Sequence, residues 1–241
     1  YSGKMDIEGF EELKQALLNS PSTSIVFGMD LVQRTNGHRA IFAAAGLIYL
    51  LEARLYLLSD RPNEQGLIDV GCVPEMLPGG RPLNIHDFKR KFEMEWGGPI
   101  PEEDGKTLFE IIEGARNKNI KALFIMGDNP VFNLPDGQYI KEALQALDFL
   151  VVQDIFLSET AKLADVVLPA RGWTEKTGTY TNLERRIQLQ KKAVNAANGM
   201  EDWKIISEVS GKMGYKMAYS DSEDIMDEIA KVSPLYRDLT Y

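Results

Sequence analysis

Lys121-Ala122-Leu123-Phe124-Ile125-Met126 runs straight into Gly127-Asp128-Asn129-Pro130, and that abrupt stop decides the fold. A helical pattern follows. Phe149-Leu150-Val151-Val152 then stops at Gln153-Asp154, and Ala164-Asp165-Val166-Val167-Leu168 stops at Pro169-Ala170. Short apolar runs with β-branched content, alternating with helical patterns, read as buried parallel strands. The expected fold is a doubly wound α/β domain, a mostly parallel sheet with helices on both faces. In such sheets ligands bind outside the carboxyl ends of the strands.

Working outward, Asp136 to Leu147 reads as the helix between the first two runs, and Ser158 to Leu163 as a short one between the second pair. Upstream, a helix from Asp6 to about Asn19 carries Ile7, Phe10, Leu13, Leu17 and Leu18 at helical spacing. Ser24-Ile25-Val26-Phe27 is a strand ending at Gly28, followed by a polar loop from Asp30 to Gly37. The Ala-, Leu- and Ile-rich stretch His38 to Glu52 reads as a helix buried on most sides, and Leu55 to Leu58 closes a βαβ unit. Regular patterning fades over 59–106, a Pro- and Gly-rich excursion with one short helix expected from Ile85 to Trp96. Thr107 caps a helix over Leu108 to Asn117. Downstream come extended pieces at Thr177–Asn182 and Arg186–Gln190, then helices from Asp202 to Met213 and Asp221 to Val232. The whole, 1–241, is expected to be a single α/β domain.

Composition narrows the function. The 241 residues carry a net charge of −9, against the basic face that nonspecific nucleic-acid binding needs. No apolar run approaches the roughly 20 residues of a membrane helix, and the start, Tyr1-Ser2-Gly3-Lys4, is polar. Direct membrane insertion is thus not expected, and the surface suits the cytoplasm. Cys72 is alone, so neither a disulfide nor a cysteine cluster site forms within the chain. His38 and His86 have no ligand spacing around them, and a metal site is not expected.

The usual signatures are missing too. There is no G-x-G-x-x-G after a strand, no G-x-x-x-x-G-K-[ST] and no G-x-S-x-G. No residue is nominated as catalytic. The better candidates sit at strand ends: Gly28, then Gly127, Asp128 and Asn129, then Gln153 and Asp154. Glycine lets a ligand approach the backbone, and the Asx and Gln side chains offer donors and acceptors. The same Asx residues equally make turns and caps after strands. Thr177, Thr179, Thr181 and Asn182, with Arg185 and Arg186, form a loop suited to phosphate or to a hydrogen-bonded hairpin.

Together, Met126-Gly127-Asp128-Asn129-Pro130, the run Leu147 to Thr160 that includes Val151-Val152-Gln153-Asp154, Ala164 to Ala170 and Glu175-Lys176-Thr177-Gly178-Thr179-Tyr180-Thr181-Asn182-Leu183-Glu184-Arg185-Arg186 resemble the molybdopterin oxidoreductase superfamily. Gly28 and Thr35-Asn36-Gly37 fit upstream. The superfamily includes formate dehydrogenases, assimilatory nitrate reductases and the molybdenum-enzyme-like subunit of NADH-quinone oxidoreductase. The resemblance implies the middle α/β domain of a longer chain, inactive alone, whose iron–sulfur clusters lie in a missing N-terminal part. It places Gly28, Gly127, Asp128, Asn129, Gln153, Asp154 and Thr160 around a molybdopterin guanine dinucleotide. It also implies partner subunits of a respiratory or formate-oxidising complex, with attachment to the membrane only through that complex.

One departure orders the members. Formate dehydrogenases resemble R-G-Q-N-N-V-Q-G at the second strand's lip, where the leading Arg polarises formate; here Ser59 stands in that place, with Arg61 two residues on. A hydroxyl cannot supply a delocalised charge. The expectation is therefore a scaffold domain of the NADH-quinone oxidoreductase type, free of molybdenum, with a relict crevice. A formate dehydrogenase-like cofactor domain and a stand-alone small-ligand domain are the alternatives.

Overall fold

The computed structural model describes residues 8–29 and 37–239. The expected loop from Asp30 to Asn36 and the start of the first helix, Asp6 and Ile7, lie outside the described residues. The chain divides into two compact units, residues 1–65 with 181–186, and residues 66–180 with 187–241.

In the first unit, helix α1 (Phe10–Asn19) precedes strand β1 (Ser24–Gly28), helix α2 (Gly37–Leu51) and strand β2 (Arg54–Leu58). β1 and β2 pair in parallel, from Ser24 opposite Arg54 to Gly28 opposite Leu58. α2 is apolar nearly all round, a composition that predicts burial on most sides. Only Gly37 and Ala44 are buried, and Phe42, Tyr49 and Leu50 are each more than three-quarters exposed. The reason is geometric: one face packs on the two strands, and within this unit nothing stands against the rest. An apolar void of about 200 Å³ remains among Phe27, Ile41, Ile48 and Leu57.

The second unit follows from α3 (Glu64–Asp69), within which the partition falls. The 59–106 stretch is more regular than its composition suggests. It holds α3, an antiparallel pair β3 (Met76–Leu77) and β4 (Arg81–Pro82), and helix α4 (His86–Trp96). α4 anchors it: Phe92 packs with Leu77, Ile100 and Val232 and meets Trp96 edge-on, with centroids 5.0 Å apart.

Helix α5 (Leu108–Arg116) starts on a full capping box: Thr107 Oγ1 accepts from Glu110 N–H and Glu110 accepts from Thr107 N–H. Then come β5 (Ala122–Met126), the one-turn α6 (Pro130–Asn133), α7 (Gly137–Gln145), β6 (Phe149–Asp154), a 3₁₀ turn (Ala161–Leu163) and β7 (Val166–Pro169). The three strands form one parallel sheet in the order β5-β6-β7. The core is Ile112 of α5, Ile140, Ala143 and Leu144 of α7, and Leu150 and Val152 of β6. β6 is central, so its residues bury on both faces and its lip lies between two neighbours. β8 (Gly178–Thr181) and β9 (Ile187–Gln190) pair, and the turn between them, Thr181–Arg186, belongs to the first unit. Helices α8 (Asp202–Lys212) and α9 (Ser222–Val232) end the second unit.

Candidate functional site

The C-terminal ends of β5, β6 and β7 form one polar lip in the second unit. Gly127 leaves β5 with φ +62°, and its N–H donates to Gln153 O at 2.8 Å. A side chain added at Gly127 would meet no atom within 4 Å, so the space beside this backbone is open. Asp128, half-buried, accepts from Asn133 Nδ2 through one oxygen, Oδ1.

Asn129 has a different job. Its Oδ1 accepts from both Thr160 N (3.2 Å) and Thr160 Oγ1 (2.7 Å), and its Nδ2 donates to Glu159 Oε2 (2.7 Å). That last bond, with a backbone bond after it, holds the Glu159 carboxyl below the usual range. Thr160 is fully buried, and its hydroxyl also accepts from Val131 N. Asn129 and Thr160 thus latch the β5 lip to the β6 lip. Asp154 is similarly committed: Oδ1 accepts from Ile155 N and Phe156 N, and Oδ2 from Ser158 Oγ. This is an Asx turn that starts the loop after β6.

Gln153 is fully buried. Its Nε2 donates to Asp202 Oδ1 at 2.8 Å, and Asp202 pairs through its other oxygen with Lys176. Gln153 Oε1 has no partner. Beside β7, Arg171 Nη1 pairs with Glu201 Oε1 at 3.3 Å, while its buried Nε has no partner; Glu201 Oε2 accepts from Trp203 Nε1. An unmet buried polar atom costs about 1–3 kcal/mol and calls for a functional explanation. Gly199 brings residues 199–200 against β7: a bridge joins Ala170 to Met200, and a Cβ at Gly199 (φ +78°) would stand 2.8 Å from Ala170 O.

The structure therefore brings Gly127, Asp128, Asn129, Gln153, Asp154 and Thr160 together on one lip. Gly28 is at the end of β1 in the first unit. Sequence reasoning missed Arg171, Lys176, Glu201 and Asp202 as a network. The charged residue just past each strand was the available signal, but Gln153 and Asp202 are 49 positions apart. His38 and His86 are exposed, in the first and second units respectively. Among the described residues no group of three or more His, Cys, Asp or Glu is placed to hold a metal ion, and no helix is long and apolar enough to cross a membrane.

This lip can hold a polar, planar ligand by hydrogen bonds: it has open backbone, a carboxylate with an uncommitted oxygen, and two buried groups short of partners. It has no histidine or cysteine for acid–base or nucleophilic work. The sequence model of the Molybdopterin oxidoreductase family matches residues 4–212. The F420-dependent formate dehydrogenase subunit alpha of Methanocaldococcus jannaschii is 44% identical over 92% of this chain, which spans 34% of that protein. The probable oxidoreductase YjgC of Bacillus subtilis is 36% identical over 98% of the chain and 25% of its own length. Among solved structures, acetylene hydratase from Pelobacter acetylenicus superposes with a TM-score of 0.47, at 20% identity over 64% of this chain and 22% of that one. The chain spans about a third or less of the length of these relatives.

Proposed function

Since this chain belongs to the molybdopterin oxidoreductase family, we propose that it is the part of a formate dehydrogenase-like large subunit that holds the nucleotide end of a molybdopterin guanine dinucleotide. The observation that carries this is the β5-β6-β7 lip, with Gln153 Oε1 and Arg171 Nε buried and unpartnered beside the open backbone at Gly127. These donors and acceptors fit a polar heterocycle. Asp128 and Gly127 would meet it from β5, and Lys176 and Asp202 from the far side, with Gln153 fixing Asp202. The cofactor, when bound, supplies the redox chemistry; these residues bind and orient it. Iron–sulfur clusters, partner subunits and a cytoplasmic site of action, peripheral to the membrane through the complex, belong to the same proposal for the parent protein.

The molybdenum-free scaffold of the NADH-quinone oxidoreductase type is the second reading, and it rests on Ser59. That hydroxyl is engaged by the Glu64 carboxylate and by Arg61 N–H, so it is a turn residue. Arg61, however, lines the same cleft of about 330 Å³ as Ser59, Thr181 and Asn182 in the first unit. A guanidinium in that cleft is the kind of group that recognises a small carboxylate. With the relatives' names, this favours the formate dehydrogenase-like reading. The test is molybdenum and tungsten content of the purified full-length protein, with formate-dependent dye reduction. About one metal per chain with formate oxidation is expected; a metal-free protein without that activity means the scaffold reading is right.

A further inference from the structure

A second depression in the second unit lies far in sequence from the strand ends. It is a groove of about 550 Å³ between the end of α4, the loop 98–100, the loop after α8 and helix α9. That volume is in the range of small-molecule sites, about 300–1,000 Å³. The wall is apolar and aromatic: Trp96, Ile100, Tyr215, Tyr219 and Ile229 contribute, and Glu228 is its single formally charged residue.

Glu228 is half-buried on α9. Its Oε2 accepts from Tyr219 Oη at 2.7 Å, and Oε1 has no partner among the described residues. Burial first, and then the bond to Glu228, push the Tyr219 phenol well above its ordinary value, so it stays protonated and remains a donor. No lysine or arginine pairs with Glu228 among the described residues. Lys91, which reaches the groove wall, donates to Val232 O at 3.2 Å instead, and Lys231 pairs with Glu95. Tyr215 Oη donates to Trp96 O at 2.7 Å, which ties the loop after α8 to the end of α4. The groove is thus braced by two tyrosine hydroxyls that face different elements.

A carboxylate in an apolar surround is costly unless it is paired. Aromatic walls add attraction for a cation and none for an anion. We propose that this groove is a binding site for a small amphipathic organic cation, an alkyl or aryl ammonium whose head meets Glu228 and whose body lies among Trp96, Tyr215 and Ile229. This does not depend on the strand-end lip or on which cofactor the lip holds.

The test uses three probes of one chain length, hexylammonium, hexanol and hexanoate, titrated against the 241-residue chain by calorimetry at low salt. Hexylammonium is expected to bind about tenfold more tightly than hexanol, and hexanoate not at all. Glu228→Gln keeps an acceptor for Tyr219 and is expected to level the ammonium with the alcohol. Equal binding of ammonium and alcohol by the unaltered chain overturns the proposal, because the site is then merely apolar. So does an ammonium preference that survives Glu228→Gln in a folded variant. The three-probe comparison needs no variant, so the outcome stands even if Glu228→Gln fails to fold.

Discussion

Asn129→Ala tests what holds the strand-end lip together. The substitution removes the acceptor of two hydrogen bonds from Thr160, at 3.2 and 2.7 Å, and both donors are on a fully buried residue. Two such bonds contribute about 0.5–1.5 kcal/mol each, and stranding buried donors adds roughly 1–3 kcal/mol. The third bond, to exposed Glu159, adds little. The expected loss is about 2–4 kcal/mol of unfolding free energy. The assay is urea unfolding followed by tryptophan fluorescence. Trp96, Trp173 and Trp203 all lie in the second unit, so the signal reports the unit that carries the latch. Thr160→Val and the double variant complete a cycle, with a coupling of about 1–2 kcal/mol expected between the two positions. A loss under about 1 kcal/mol for Asn129→Ala, or additive single effects, refutes the latch and returns Asn129 to the ligand-binding candidates.

Gly199→Ala places a Cβ 2.8 Å from Ala170 O at φ +78°; it should cost about 2–4 kcal/mol and loosen the Ala170–Met200 bridge, read as faster amide exchange at Met200 and Arg171. Thr107→Ala removes the capping box of α5 and should lower stability by about 1 kcal/mol in the same urea assay. Tyr236 is buried, and desolvation, with Asp69 second, raises its phenol from 10.0 to about 12. Because the folded value is raised, the stabilisation is complete below pH 10 and is lost as pH rises through about 12. That amounts to about 3 kcal/mol across the window, and Tyr236→Phe should flatten the wild-type slope there; parallel slopes for the two proteins count against it.

The strands were legible because each is a short β-branched run closed by small or polar residues, and β1, β2, β5, β6 and β7 all appear where those runs lie. Boundaries failed where a polar residue continues a ladder. β6 runs on through Gln153 and Asp154, which pair with Leu168 and Pro169, although the apolar run ends at Val152. β7 starts later than its apolar run, because Asp165 turns its carboxylate to Leu150 N before the ladder begins. For α2, apolar composition says that the helix prefers burial, yet the sequence does not contain the surface that would cover Phe42, Tyr49 and Leu50. The lip shows the deeper limit. A polar residue after a strand is either a ligand group or a latch, and residue type does not separate the two. The number of bonds already made does. Asn129 and Asp154 each make three within the protein, and Thr160 is used as donor and acceptor. Asp128 makes one through Oδ1, and Gln153 makes one and leaves Oε1 unmet. The partners that use up Asn129 lie about thirty residues away, so only the folded chain moves the binding duty from Asn129, Asp154 and Thr160 to Asp128, Gln153 and the open backbone of Gly127.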